Sequence, residues 1–198
     1  AAAARMLAMT FGRFPVTEVL VEERLGIVRE IFVSLAIDER ERAPVLLLSA
    51  AGGSGVEGRA RETRRIACDV LRGPDREALG SAVESLSLTP PLAAEVSRVV
   101  ASVFDLARAN DARSVEINPL AVTAQGTLVA ADCRVTIDDY AVSRHPELGI
   151  EIARELDHPP TELERVAYRV EQDDHRGTFF FAQMNTAAPA GGRGLIGF

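Results

Sequence analysis

The pattern of apolar and polar residues in the N-terminal part of the chain predicts three β-strands. Residues 16–22 are rich in β-branched residues, and Gly26 separates them from residues 27–38, which largely alternate between apolar and polar. Residues 45–50 are almost wholly apolar. Alternation is typical of a strand with one buried face, and a short apolar run is typical of a buried strand. Together the three predict an antiparallel meander, and residues 66–71 are a candidate fourth strand.

The clearest helix is predicted at residues 91–109. Its apolar side chains recur at the i, i+4, i+7, i+8 spacing of a stripe that faces a core, and Pro90 suits its start. The residues after it predict a strand, a hairpin and a short helix capped by Asp138 or Asp139. Their ranges are 114–118, 120–137 and 138–145.

A boundary is predicted near residue 160. Residues 158–160, His-Pro-Pro, are typical of a linker, and Thr161 begins a Thr-x-x-Glu capping box that opens a short helix. A strand at 178–182 leads into a glycine-rich loop at 191–194, an order that usually begins an α/β domain. We therefore expect one domain at residues 1–160 and the beginning of another at 161–198. Because residues 1–9 are typical of the end of a helix, we also expect a piece of a longer polypeptide.

Composition excludes several classes of function. Apolar residues make up 47% of the 198-residue chain and charged residues 26%, which is normal for a globular protein, and the net charge of −7 argues against a nucleic-acid-binding protein. We find no apolar run of membrane-spanning length. Cys68 and Cys133 lack metal-ligand spacing, which favours a reducing compartment such as the cytoplasm and argues against structural zinc.

The most informative stretch is a predicted hairpin around Gly126. If Gly126 is the left-handed residue that ends a three-residue loop, Thr123 faces Thr127, and Asn118 faces Asp132 further along the two arms. Opposed residues share one side of a hairpin, so this register places an amide oxygen beside a carboxylate. Such a pair suits Mg²⁺, with phosphates and water completing the octahedron. The alternatives are an ordinary Asn-Pro turn with an exposed aspartate, and a two-residue loop that would separate the two side chains.

An ordered series of motifs resembles the β subunit of succinate–CoA ligase and its relatives. The series consists of Val-Leu-Val-Glu at 19–22, Arg-Glu at 29–30, Ser-Ala-Ala-Gly-Gly at 49–53, Glu-Ile-Asn-Pro-Leu at 116–120, Ala-Asp-Cys-Arg at 131–134 and Arg-His-Pro-Glu-Leu at 144–148. The resemblance extends from about residue 15 to residue 160 and is fainter beyond. The sequence departs from the family at Arg134, Ala131 and Ala51, where the family has lysine, leucine and glutamate.

The resemblance implies an ATP-grasp fold of the α+β class. This chain would form the C-terminal lobe, an antiparallel sheet with helices, followed by the start of an α/β, flavodoxin-like CoA-ligase domain. The resemblance also assigns six residues, Leu25 through its backbone, to nucleotide binding, metal binding and catalysis. These are, in that order, Glu22, Leu25 and Glu30 for ATP or GTP; Asn118 and Asp132 for Mg²⁺; and Glu116, which would face a phosphohistidine of the α subunit.

The implied activity is that of an acid–thiol ligase of the tricarboxylic acid cycle, which joins a carboxylic acid to CoA as a nucleoside triphosphate is cleaved to diphosphate and phosphate. Rival expectations are a citrate-cleaving or citryl- or malyl-CoA-forming ligase, and a non-catalytic paralogue that retains the fold. The family's first lobe would precede residue 1 and its acyl-binding domain would follow residue 198, so we expect this piece alone to be inactive.

Each assigned residue also has a structural alternative. Glu22 and Glu30 would be ordinary polar positions on half-buried strands, Glu116 would form a cross-strand ion pair with Arg134, and the glycines at 52–53 would be a loop rather than a contact for phosphate or a partner. His145 and the histidines at 158 and 175 do not adjoin an anion-binding loop. We therefore expect the phosphohistidine on another chain.

Overall fold

The computed structural model describes residues 2–12, 14–53, 63–152, 160–174, 176–177 and 179–183. A short helix and a two-stranded ribbon come first: α1 (Ala2–Met6), β1 (Thr10–Phe11) and β2 (Phe14–Pro15). Seven further strands among the described residues form one antiparallel sheet. They are β3 (Ile27–Asp38), β4 (Ala43–Ser49), β5 (Arg64–Asp69), β6 (Gly73–Pro74), β7 (Ala112–Thr123), β8 (Leu128–Ala130) and β9 (Cys133–Ile137).

The order of strands across the sheet is β6-β5-β4-β3-β7, and both β8 and β9 pair with β7. Strands β3, β4 and β5 form the predicted meander, one strand later in the chain than the sequence pattern indicated. β3 and β7 are the two long strands, and they lie side by side at the centre. The antiparallel α+β fold is therefore confirmed.

One face of the sheet is covered by α2 (Arg76–Glu84) and α3 (Pro90–Ala109). Five members of the stripe predicted on α3 are buried there, and Leu92 and Val99, its other two members, are partly buried against the same core. The five are Val96, Val100, Val103, Phe104 and Ala107. They pack against alternate residues of the central strands, such as Ile31, Val33 and Leu46. This face is the hydrophobic core, because burying apolar surface from water supplies most of the stabilisation of a domain.

The helix α2 was not predicted from the sequence. The Asp75 side chain caps it by accepting a hydrogen bond from the backbone N–H of Ala78 (2.8 Å), and Ala82 and Val83 are its buried residues. An acidic cap followed by apolar residues at helical spacing was the available signal. Gly80 and Ser81 lower the helix propensity of α2, which is why the pattern was easily missed.

Two predicted strands are wrong. Residues 16–26 form no regular strand within the described ranges, and Leu20 and Val21 are 83% and 80% exposed. The predicted strand at 178–182 is likewise irregular over residues 179–183, and Phe180 is 70% exposed. A strand needs the N–H and C=O groups of a neighbouring strand, which β-rich composition alone does not provide. The glycine-rich loop at 191–194 lies outside the described residues.

The C-terminal elements follow the predicted pattern of caps. Asp138 caps a 3₁₀ helix at Asp139–Arg144, a second 3₁₀ turn spans Pro146–Leu148, and α4 (Glu162–Asp173) begins with the full capping box of Thr161. In that box the Thr161 N–H donates to Glu164 Oε2 (2.9 Å) and the Glu164 N–H donates to Thr161 Oγ1 (3.3 Å). Within the described ranges, no helix combines the length and apolar character needed to cross a membrane.

Candidate functional site

The hairpin that joins β7 to β8 has the predicted three-residue loop. Gly126 has a φ of +78°, and its N–H donates to the carbonyl of Thr123 (2.9 Å). Thr123 and Thr127 face each other, with their hydroxyl oxygens 2.7 Å apart. Further along, the N–H of Asn118 donates to the carbonyl of Asp132 (3.1 Å). The register on which the metal hypothesis depends is therefore confirmed.

The two sides of the hairpin have different surroundings. Ile117 and Cys133 are opposed, and both line a cleft of 560 Å³ beside α3. Because neighbouring residues of a strand point to opposite sides, Asn118 and Asp132 point away from α3. Glu116 lies two residues before Asn118, and therefore on the same side. The three proposed site residues of the hairpin thus share the face of the sheet opposite α2 and α3, a face on which Phe32 and Ala121 are themselves buried.

Pro119 interrupts the pairing between β3 and β7 at this point. Ile31 pairs with Leu120 whereas Val33 pairs with Ile117, so Asn118 and Pro119 together oppose Phe32 alone. Two residues against one is a β-bulge, and proline favours it because it has no N–H to donate to the ladder. The Asn118–Pro119 peptide is cis.

Asn118 is held by contacts at both ends of its amide. Its Oδ1 accepts a hydrogen bond from the backbone N–H of Gly53 (2.7 Å), and its Nδ2 lies 3.4 Å from Glu116 Oε1, to which it donates. The side chain is half-buried, whereas Asp132 is exposed. The structure therefore brings Asn118, Glu116 and the 52–53 glycines into one cluster, with Asp132 on the adjacent arm.

Glu30 belongs to the same cluster. The N–H of Gly52 donates to the carbonyl of Glu30 (3.2 Å), and a Cβ built on Gly53 would lie 2.4 Å from Glu30 Oε2. The Glu30 carboxylate therefore lies against the glycine pair that also contacts Asn118. Of the three proposed nucleotide-binding residues, it is the one that the structure joins to the proposed metal ligands.

Glu22 and Leu25 lie elsewhere, in the irregular segment before β3. Glu22 is exposed and Leu25 is half-buried. The segment ends at Gly26, whose carbonyl accepts from the N–H of Ala124 at the tip of the hairpin (2.8 Å). Glu30 is four residues further along, roughly 13 Å in extended chain. The described contacts thus divide the proposed nucleotide residues between the hairpin tip and the Asn118 cluster.

The donor set suits a partly protein-bound Mg²⁺. Asn118 Oδ1 and the Asp132 carboxylate are hard oxygen ligands, and an amide oxygen that accepts one hydrogen bond retains a second lone pair. Within the described part of the chain, no three His, Cys, Asp or Glu side chains gather as a metal cage. Two such oxygens on neighbouring arms would supply part of a ligand set, of the kind that Mg²⁺ completes with water and phosphate oxygens.

His145 has a structural partner. Its Nε2 lies 2.8 Å from Asp111 Oδ2 and its Nδ1 lies 3.1 Å from Glu147 Oε1, while Arg144 also contacts Asp111. The carboxylates of Asp111 and Glu147 raise the pKa of His145 above its usual range, and His145 and Arg144 lower the pKa of Asp111. These pairs fasten the 3₁₀ helix to the turn between α3 and β7, as expected for a histidine without a phosphoryl-transfer role.

Comparisons with known proteins define the class. Residues 6–122 match the ATP-grasp domain family, and the chain belongs to that family. The chain is also similar to curated succinate–CoA ligase [ADP-forming] β subunits. It is 35% identical to that of Bacteroides thetaiotaomicron over 98% of the chain and 50% of the relative. It is 40% identical to that of Methylobacillus flagellatus over 68% of the chain and 36% of the relative. The chain thus spans about half the length of the first relative and about a third of the second.

Solved structures support the same fold. ATP citrate lyase from Methanothrix soehngenii, in complex with citrate and coenzyme A, superimposes with a TM-score of 0.57 at 19% identity, over 75% of this chain and 34% of that one. At this identity the likeness concerns the fold alone. The sequence relatives and the structural relative agree on an ATP-grasp domain.

Sequence reasoning left one part of the cluster undecided. The glycines at 52–53 fitted either a plain loop or a ligand contact, and their hydrogen bond to Asn118 joins residues 65 positions apart. Periodicity reports only local structure, so the sequence carried no signal for that contact. The strands that flank the glycines were predictable, whereas the contact between the glycines and Asn118 was not.

Proposed function

We propose that this chain carries the metal-binding half of a nucleotide site in the β subunit of an NDP-forming acyl-CoA synthetase similar to succinate–CoA ligase. The observation that carries the proposal is the hairpin register, in which Asn118, Asp132 and Glu116 share the face of the sheet opposite α2 and α3. Membership of the ATP-grasp family and similarity to succinate–CoA ligase β subunits support it. The parent enzyme would convert a carboxylate, CoA and a nucleoside triphosphate to acyl-CoA, nucleoside diphosphate and phosphate.

In this proposal Asn118 and Asp132 bind Mg²⁺, which neutralises charge between the phosphates of ATP or GTP. Glu30, beside the glycine pair, and Glu22 and Leu25, before β3, line the nucleotide pocket. The position of Glu30 near Asn118 supports its role directly. Glu22 and Leu25 receive their roles from the family resemblance alone.

Glu116 would face a phosphohistidine borne by an α subunit. A carboxylate that accepts a hydrogen bond from a histidine fixes its tautomer and stabilises the imidazolium. The two-stage transfer of the phosphoryl group through histidine is covalent catalysis. Glu116 is half-buried on the face of the sheet opposite α2 and α3, and the Asn118 amide donates a hydrogen bond to its carboxylate.

The domain division is part of the same proposal. Residues 1–160 belong to the ATP-grasp domain, and 161–198 connect to a CoA-ligase domain, with α4 as the linking helix. The capped start of α4 directly after Pro160 supports a boundary there. A cytoplasmic location is supported by the free thiols of Cys68 and Cys133.

The test uses the polypeptide that carries this chain, co-expressed with its α partner. We expect succinate-dependent release of ADP or GDP that requires CoA and Mg²⁺, together with a phosphorylated histidine on the partner. Asp132→Ala should abolish release at low Mg²⁺ and recover part of it at high Mg²⁺. Release with citrate instead of succinate would favour the citrate-cleaving rival. Failure of every acid and of histidine phosphorylation would favour the non-catalytic paralogue.

A further inference from the structure

The glycine pair at 52–53 is fixed to both central strands of the sheet. Gly52 is attached to β3 through its N–H bond to the Glu30 carbonyl (3.2 Å), and Gly53 is attached to β7 through its N–H bond to Asn118 Oδ1 (2.7 Å). Two consecutive backbone donors therefore reach two neighbouring strands. A plain surface turn would have no need of the second bond, because water satisfies an exposed N–H.

The bond from Gly53 determines which way the Asn118 amide points. A backbone N–H donates a hydrogen bond to the amide oxygen and not to the amide nitrogen. Oδ1 therefore faces Gly53, and Nδ2 faces Glu116. The reversed amide would place its NH₂ group against another donor. Since a cation binds only the oxygen, the fixed orientation keeps the correct atom available.

Both glycine positions disfavour a side chain, Gly52 because the backbone of β3 is close and Gly53 chiefly because of its left-handed backbone conformation. A Cβ on Gly52 would lie 3.0 Å from the backbone oxygen of Ile31, which cannot move aside without disturbing β3. Gly53 has a φ of +79°, in the left-handed region, and its Cβ would lie 2.4 Å from Glu30 Oε2. The close approach that these contacts require is what brings the Gly53 N–H to Asn118.

From this geometry we infer that Gly53 is a positioning residue for the metal ligand Asn118, acting through its backbone N–H. The inference rests on the proposed function, in which Asn118 binds the cation. It goes beyond that function because the ligand is oriented by a main-chain group rather than by a side chain. Groups that orient metal ligands typically change metal affinity by about 10–100-fold when they are removed.

The first test is amide hydrogen exchange of the 198-residue chain, followed by NMR. The Gly53 N–H should be protected, and Asn118→Ala should remove that protection. The Gly52 N–H is the internal control, because its acceptor is the carbonyl of Glu30 and should survive the substitution. Unprotected Gly53 in the unsubstituted chain, or protection that Asn118→Ala leaves intact, would overturn the inference.

The second test uses the longer polypeptide that carries this chain, in complex with its α partner, and measures Mn²⁺ binding in the presence of ADP by the loss of the free Mn²⁺ signal in electron paramagnetic resonance. Gly53→Ala should weaken binding by about tenfold or more. Gly149→Ala is the matched control, since Gly149 also has a positive φ (+64°) but nothing within 4 Å of its Cβ position. It should change binding by less than about twofold, well below the effect expected at Gly53.

Asp132→Ala separates the inference from the proposed function. If the unsubstituted chain binds Mn²⁺ no better than Asp132→Ala, the metal site itself is wrong and both proposals fail. If Asp132→Ala loses binding while Gly53→Ala binds as Gly149→Ala does, the metal site stands and the positioning role of Gly53 is refuted.

Discussion

Ile117 and Asn118 are adjacent in the chain, yet the structure assigns them to opposite sides of β7. Ile117 is 7% exposed and belongs to the core beside α3, whereas Asn118 is half-buried on the face opposite α2 and α3. Replacing each by alanine should therefore have separate consequences. Ile117→Ala should lower the free energy of unfolding, and Asn118→Ala should chiefly impair metal binding.

The size of each effect follows from the contacts that are lost. Truncating a buried isoleucine to alanine costs about 2–5 kcal/mol. Ile117 lines the 560 Å³ cleft, so part of the space it vacates adjoins an opening rather than a sealed core, and we expect about 2–3 kcal/mol. Asn118→Ala removes the hydrogen bond from Gly53, worth about 1 kcal/mol.

Urea unfolding of the 198-residue chain, monitored by circular dichroism, measures both. The midpoints should fall in the order unsubstituted chain, Asn118→Ala, Ile117→Ala, with an unchanged slope if compactness is retained. Leu46→Ala, at a fully enclosed position, is the control and should cost as much as Ile117→Ala or more. Equal losses for Ile117→Ala and Asn118→Ala, or the reverse order, would refute the assignment of the two faces.

The remaining predictions concern the hairpin loop, the cap of α4 and the ion pairs of His145. Gly126→Ala should destabilise by about 1 kcal/mol in urea unfolding, because φ is +78° there and Cβ would meet no neighbour; no loss would refute a left-handed loop end. Thr161→Ala should lower the helical signal of α4 and cost about 1 kcal/mol through loss of the capping box, with Thr161→Ser as the conservative control. For His145 the folded pKa is raised by Asp111 and then Glu147. Its stabilisation should therefore be fully present below the unfolded pKa of about 6.5 and be lost as pH rises through the folded pKa. The difference in unfolding free energy from His145→Gln should shrink over that window, and a constant difference would contradict the pairing.

The predictable parts of the fold are those in which the spacing of apolar residues along the sequence matches the geometric repeat of a helix or a strand. The stripe on α3 and the alternation along β3 each report a buried face directly. The hairpin register was also predictable, because one glycine at the end of a three-residue loop determines the pairing of both arms. The metal-ligand hypothesis depended on this register and on the family resemblance, which assigned Asn118 and Asp132 to Mg²⁺.

The parts that were not predictable depend on partners that are distant in sequence. Residues 16–22 have the composition of a strand, yet within the described ranges they belong to no strand, and Leu20 and Val21 remain exposed. Strand composition measures suitability for a pleated surface and does not supply the neighbouring strand. The contact between Gly53 and Asn118 was hidden for the same reason, since the sheet, not the local sequence, brings the two together.

The bulge at Pro119 explains how the site and the core can occupy the same strand. Strict alternation from Ile117 would put Leu120 on the face opposite α2 and α3, beside Asn118. The extra residue opposite Phe32 shifts the alternation by one, so that Leu120 and Val122 return to the core beside Ile31. Asn118 can therefore point away from α2 and α3 while the apolar residues before and after it remain in the core. A proline at this point satisfies the geometry of the ligand and the burial of the strand together, because the ladder bond that it cannot donate is the bond that the bulge omits.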